Sequence, residues 1–236
     1  IYYLGVGGDA ALGGKGKALN EMASLGLPVP AGFVITRPAE ATRENLTAAI
    51  KKIGKGFGNP TKPLLLAVRA SPESATLGAM ETILNLGLND ETVEGLAAQL
   101  QNRSQAYALY CQFIQTYAVN VLGLRHAEFE DLHDGSEISQ RVAKFKSAIE
   151  RKTGLSFPQD VATQIADVIQ AAPAQHGAVI VQAMVHAEGA PLIVASRNPA
   201  TGAVDDGSNQ RSPNSSGTSS RHRKSPLSNQ KTSFGS

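Results

Sequence analysis

The stretch from Leu12 to Thr36, LGGKGKALNEMASLGLPVPAGFVIT, constrains the fold of this chain more than any other. Glycines flank Lys15, a helical pattern over about 17–25 follows, and a proline-rich turn leads into an apolar strand at 32–36. Glycines let a backbone approach an anion closely, and a helix N-terminus attracts negative charge. The stretch therefore predicts a loop, helix and strand that present Lys15 and free backbone N–H groups to a phosphate.

Other polar residues stand where a ligand or a structural partner is needed. Arg69 ends the apolar run LLLAVR, a pattern typical of a strand covered on both faces, and its charge needs either a ligand or a salt bridge. Gly78 and Thr82 are spaced to hold a phosphate, although Thr82 could equally cap a helix. Gln182 lies inside the apolar strand VIVQAMV and needs either a purine edge or a backbone group as its partner. For Lys15 the alternative is an exposed lysine in a flexible turn, because its spacing is not that of a Walker A loop.

Hydrophobic periodicity predicts strands interspersed with helices, which indicates an α+β (mixed α/β) fold. The first helix is expected to turn an apolar face to the core, formed by Leu19, Met22, Ala23 and Leu25. The predicted strands are 1–4, 32–36, 64–69, 178–185 and 191–196. The predicted helices are 17–25, 38–53, 89–100, 104–122, 137–152 and 160–171.

Composition excludes several classes of protein. Residues 207–236 carry five basic residues, no acid and ten serines, and residues 1–206 carry 17 basic and 20 acidic residues. We expect this tail to be disordered or foreign to the fold, and we weigh nucleic-acid binding by it only as a minor alternative. The single cysteine, Cys111, excludes an internal disulfide and is expected to be a buried structural thiol. We expect a cytoplasmic location, no membrane span and no metal site, and assign no role to His126, His133, His176, His186 or His222.

Taken together, these segments resemble the pyruvate, phosphate dikinase family. The resemblance rests on the stretch Leu12–Thr36, on LLLAVRAS, on GAMETILNLGLND (Gly78–Asp90), on YALYCQFIQTYAVNVLG and on VIVQAMV with SRNPATG, in that order along most of 1–203. It implies an ATP-grasp-like nucleotide-binding domain that is incomplete here and carries a helical insertion. The implied divisions are an N-terminal subdomain (1–103), a helical segment (104–175), the start of a second subdomain (176–206) and the tail (207–236).

The resemblance also implies a chemistry. In that family, ATP phosphorylates a histidine on a separate domain, and a further domain passes the phosphoryl group between pyruvate and phosphoenolpyruvate. By position, Lys15 and Arg69 match the phosphate-binding lysine and arginine, and Gly78 and Thr82 match the phosphate loop. Gln182, with Met184 and Val185, matches the segment beside the adenine. ATP and Mg²⁺ are the implied cofactors, and the phosphohistidine and pyruvate or phosphoenolpyruvate domains are the implied partners.

The sequence departs from the family pattern at the site itself. Glu73 stands where the family has a second arginine, and Glu81 replaces an aspartate. Nothing after SRNPATG resembles the family's acidic Mg²⁺ ligands, so we assign no catalytic residue and expect no turnover by this chain alone. The alternative to an ATP-binding part of a phosphotransferase is an inactive nucleotide-binding or regulatory module derived from that family.

Overall fold

A five-stranded antiparallel sheet organises the fold. The computed structural model describes residues 1–6, 11–73, 80–132, 137–172 and 177–185, and these fall in one compact unit, Ile1–Val185. The strands are β1 Tyr2–Tyr3, β2 Gly32–Ile35, β3 Leu66–Ser71, β4 Ile83–Leu86 and β5 Ala178–Ala183. They lie in the order β1-β2-β5-β3-β4, and each neighbouring pair is antiparallel.

Helices supply most of the remaining structure, and the predicted α+β class is confirmed. Their bounds are α1 Gly13–Ser24, α2 Arg43–Ile53, α3 Thr92–Leu100, α4 Arg103–Leu122, α5 Ala127–Glu130, α6 Ile138–Thr153 and α7 Val161–Ala171, with a 3-10 turn at Pro38–Glu40. Polar caps fix several of the N-termini. Thr42 and Asn45 form a capping box on α2, and the side chains of Asn102 and Asp160 accept backbone N–H groups at the starts of α4 and α7.

The two faces of the sheet are covered differently. On the core face, side chains such as Phe33 and Val68 join one large cluster with the helical residues, among them the buried aromatic residues Tyr110, Phe113 and Phe145. On the opposite face, Val34, Ala178 and Ile180 form a small cluster with Leu12 at the start of α1. We call this second side the α1 face. Within the described ranges no helix has the length and apolarity that crossing a membrane requires.

Several element boundaries differ from those predicted. Helix α1 begins at Gly13 instead of residue 17, and β3 runs to Ser71 instead of ending at Arg69. The apolar run of β3 is typical of parallel sheets, yet β3 is antiparallel to both neighbours. Strand β4 and the short helix α5 were missed, and the predicted strand 191–196 lies outside the described residues. Strand β5 lies between β2 and β3 in this sheet, and the boundaries at 103, 175 and 206 stay predictions.

The predicted apolar face of α1 is confirmed only for Leu19, which packs against the small cluster on the α1 face, and the helix approaches the sheet most closely through glycines. Met22 is 38% exposed and Leu25 is 72% exposed, whereas Gly13 and Gly16 are buried. A Cβ on Gly13 would overlap the carbonyl oxygen of Ser71, and a Cβ on Gly16 would lie 3.4 Å from the Ser71 hydroxyl oxygen. The small residues therefore let the helix backbone reach the end of β3.

Cys111 lies inside the core as expected. It is 4% exposed within α4, and burial raises the pKa of its thiol to about 11, against a smaller opposing effect of Arg141. At neutral pH the thiol is therefore protonated and unreactive. The structural role predicted for Cys111 is the one its surroundings favour.

Replacing Gly13 by alanine should destabilise the fold more than the same change at Gly26. Both glycines have positive φ, +69° and +75°, but a Cβ on Gly26 meets no atom within 4 Å. We expect Gly26→Ala to lower the free energy of unfolding by about 1 kcal/mol, the cost of a left-handed residue. Gly13→Ala should add overpacking of about 1–3 kcal/mol. Urea denaturation of both variants checks this, and equal losses would contradict the docking role of Gly13.

Candidate nucleotide site on the α1 face

Helix α1 crosses the sheet on the α1 face. Its N-terminal turn lies on the end of β3 at Ser71, and Gly16 reaches Val34 of β2. Its later part lies beside Gly5, whose N–H donates to the Asn20 side chain at 2.9 Å. Helix α1 therefore covers the end of the sheet near Ser71. Arg69 lies on the neighbouring part of the α1 face, toward the other end of β3.

Arg69 and Gln182 both belong to the α1 face. The Cα partner of Arg69 is Ile180, and Ile180 packs with Leu12 under α1. Directly opposed residues of an antiparallel pair point to the same side, and so do residues two apart along a strand. Arg69 therefore lies two positions before Ser71, about 7 Å along the strand from the residue on which α1 docks.

Lys15 lies in the first turn of α1 with its side chain exposed. In the part of the chain that the structure describes, no carboxylate pairs with it. Its neighbours do not present free amides, however: the Gly14 N–H donates to the carbonyl of Pro72 at 3.0 Å, and the Gly16 N–H donates to the Ser71 hydroxyl at 2.9 Å. The expectation of a glycine loop with free N–H groups is therefore corrected, because these two amides fasten α1 to β3.

Arg69 and Gln182 contact each other. An Nη of Arg69 donates to Oε1 of Gln182 at 3.2 Å, and Nε2 of Gln182 donates to the carbonyl of Pro30 at 3.3 Å. Arg69 is half-buried and Gln182 is buried. The backbone group considered as the partner of Gln182 is thus the carbonyl of Pro30, and the side chain of Arg69 is a second partner that the sequence did not predict.

Glu73 lies next to the first turn of α1, as its place in the family pattern suggested. Its carboxylate accepts a hydrogen bond from Lys17 at 3.0 Å, and the two side chains are 62% and 57% exposed. An exposed pair of this kind contributes little to stability. It does offset the negative charge that Glu73 brings to the neighbourhood of Lys15.

The phosphate-loop residues are only partly described. Gly78 lies outside the described residues. Thr82 is exposed and directly precedes β4, where Ile83 pairs with Val68. Continuing that register brings Thr82 opposite Arg69, so these two candidates are neighbours across the strands.

Met184 and Val185 follow β5. The Met184 N–H donates to the carbonyl of Leu65 at 2.9 Å, and its sulfur accepts the Asn85 N–H at 3.1 Å. Val185 is 74% exposed, so its side chain is free to contact a flat apolar ligand. Met184 is more constrained, because its backbone and its sulfur are both engaged.

Two residues near the site were missed. Ser71 links α1 to β3, since its hydroxyl donates to the Leu12 carbonyl at 2.8 Å and accepts the Gly16 N–H. Asn85 lies where the register between β3 and β4 shifts, with φ of 62° and 1% exposure. Among the described residues its buried Oδ1 has no hydrogen-bond partner. Two features of the sequence point to these residues. Ser71 is a polar residue after an apolar strand, and Asn85 and Gly87, on either side of Leu86, are residue types common in turns.

The clefts of the described residues lie away from Lys15 and Arg69. One is lined by Lys51 and Lys55 at the end of α2, and another by Arg103 and Arg141, of which Arg103 pairs with Glu94. A cleft of about 470 Å³ is lined by the 3-10 turn and the end of α7, and its one arginine, Arg37, pairs with Glu40 at 2.9 Å. A second, of about 520 Å³, lies between α4 and α7. Across the described ranges, no three His, Cys, Asp or Glu side chains come together as metal ligands would.

A helix fastened to an antiparallel sheet, with Lys15 on its first turn and Arg69 two residues before its docking point, is an arrangement that suits an anionic ligand. The chain matches no protein-family model, but it is similar in sequence to several curated proteins that share one name. It is 35% identical over 245 aligned residues to "Pyruvate, phosphate dikinase" of Rhizobium meliloti, covering 81% of this chain and 27% of that protein. The proteins of the same name from Giardia intestinalis and Clostridium symbiosum are 36% and 33% identical over 63% and 68% of this chain, and 20% and 22% of their own lengths.

The chain is similar to the pyruvate, phosphate dikinases over most of its length and is a pyruvate, phosphate dikinase-like chain. It spans about a fifth to a quarter of the length of the curated relatives it matches, with 20%, 22% and 27% for the three above. The family expected from the sequence is thereby confirmed.

Proposed function

We propose that this chain is the ATP-binding portion of a pyruvate, phosphate dikinase-like phosphotransferase. One observation carries the proposal: Lys15 lies in the helical turn that is fastened to Ser71, and Arg69 lies two residues before Ser71 on the same face of the sheet. Two cations on one face of a sheet suit a polyphosphate, which carries several negative charges in a short chain.

In this proposal the two cations have different tasks. Lys15 is a compact charge on the first turn of a helix and would contact a terminal phosphate. Arg69 has a planar guanidinium that can donate two parallel hydrogen bonds to phosphate oxygens. Thr82, next to Arg69 across the strands, would add a hydroxyl donor. Met184 and Val185 would lie against the base.

The phosphoryl group would leave ATP for a carrier histidine on another domain, as the family resemblance implies. The described residues could orient the polyphosphate and offset charge that develops on its oxygens, which is most of what a protein does in phosphoryl transfer. Among the described residues no three acidic, His or Cys side chains come together, and Glu73 beside the first turn of α1 is paired with Lys17, so these residues give no ligand set for Mg²⁺. We therefore route no step through a metal.

The second candidate is a nucleotide-binding module that no longer transfers phosphate. The engaged amides of Gly14 and Gly16 and the negative charge of Glu73 favour it. Incubating the chain with ATP labelled at the β-phosphate and a carrier-histidine domain of a relative separates the two candidates. Label on the histidine supports the phosphotransferase, and nucleotide binding without transfer supports the module.

Lys15→Ala should weaken ATP binding by about tenfold, because a charged hydrogen bond to phosphate is lost. Lys51→Ala is the matched control, since Lys51 is an exposed lysine on α2, which packs on the core face with β2. Isothermal titration calorimetry with ATP measures both affinities. Equal affinities for Lys15→Ala and the unchanged chain would remove Lys15 from the site.

Glu73→Gln should tighten ATP binding, because it removes a negative charge beside the first turn of α1. Since Glu73 is exposed, we expect only about a two- to threefold gain at low salt, shrinking as salt is added. Glu91→Gln, on an exposed acid before α3, serves as the control. An unchanged or weaker affinity of Glu73→Gln for ATP would place Glu73 outside the field of the phosphates.

A further inference from the structure

Both the oxygen and the nitrogen of the Gln182 side-chain amide form hydrogen bonds within the chain. Its oxygen accepts from Arg69 at 3.2 Å and its nitrogen donates to the Pro30 carbonyl at 3.3 Å. These partners fix which way the amide faces, because the reverse orientation would set its NH₂ against a guanidinium and its oxygen against a carbonyl. With 8% of its surface exposed, the side chain has little left to offer a ligand.

The stem of Gln182 is also held in place. A Cβ on Gly32, its Cα partner on β2, would lie 2.7 Å from Cγ of Gln182. The stem therefore leans from β5 over the bare backbone of Gly32, toward β2 and Pro30. The long side chain of Arg69, on β3 at the other side of β5, reaches the Gln182 oxygen, so one amide connects β2, β5 and β3 on the α1 face.

We infer that Gln182 is a positioning residue for Arg69 and does not read the purine. This inference rests on the proposed function, since it concerns how the same site holds its ligand. A guanidinium on a half-buried strand residue could adopt several rotamers, and a fixed acceptor selects one of them. Gln182 then affects phosphate binding through Arg69, and it does not contribute to binding of the base.

Because the inferred role concerns phosphate alone, inorganic tripolyphosphate separates it from base recognition. Gln182→Met keeps the length and apolar stem but loses the amide. We expect this variant to bind ATP, GTP and tripolyphosphate about fivefold more weakly, because the hydrogen bond that holds Arg69 in one rotamer is lost. In an Arg69→Ala background the same change should have no further effect, because the residue through which Gln182 acts is gone.

A measurement on the unmutated chain guards against a variant that fails to fold. Side-chain amide resonances of Gln182 should shift when tripolyphosphate is added and stay in place with adenosine. The control is the side-chain amide of Gln164, which is fully buried and donates to the carbonyls of Leu88 and Pro158 at 2.9 and 2.8 Å. It should move with neither ligand.

The possible failures are distinguishable. A Gln182 amide that shifts with adenosine and not with tripolyphosphate, or a Gln182→Met variant that loses ATP affinity and keeps tripolyphosphate affinity, overturns the inference and restores purine recognition. An unmutated chain that binds neither ATP nor tripolyphosphate overturns the proposed function, and this inference with it.

Discussion

The contact between the first turn of α1 and the end of β3 is the interaction on which the candidate site depends. Gly13 leaves room for the Ser71 carbonyl, and the Ser71 hydroxyl then accepts the Gly16 N–H and donates to the Leu12 carbonyl. A helix end buried in this way needs such partners for its orphan amides. Because the contact fixes where α1 begins, it also fixes where Lys15 stands relative to Arg69.

That contact gives the glycines a different role from the one their sequence suggests. Glycines around a lysine are typical of a loop that wraps an anion with its amides. Here Gly14 and Gly16 donate to β3 and its following residue, so anion binding would rely on the side chains of Lys15 and Arg69. A site built from side-chain cations is more sensitive to nearby charge, which makes the pair of Lys17 and Glu73 relevant to it.

Local sequence predicted the helices well, because their caps and apolar spacing are local properties. Asp160 before α7 is one example. The local patterns failed where tertiary contacts decide. Helix α1 begins before residue 17 because Gly13 and Gly16 pack on Ser71, 55 or more positions along the chain, and the register between β3 and β4 shifts next to Asn85, whose φ is 62°. For the site, residue types pointed to Lys15, Arg69 and Gln182. That the amide of Gln182 faces Arg69 and Pro30 depends on strand order, which no local pattern encodes.

The most direct test of this account is a titration of the isotope-labelled chain with ATP, followed through its backbone amide resonances. If the polyphosphate lies between Lys15 and Arg69, the largest shifts will fall in the first turn of α1, in the second half of β3 and around Thr82. Shifts concentrated instead around Arg37 and the 3-10 turn, where a separate cleft lies, would contradict the placement of the nucleotide on the α1 face.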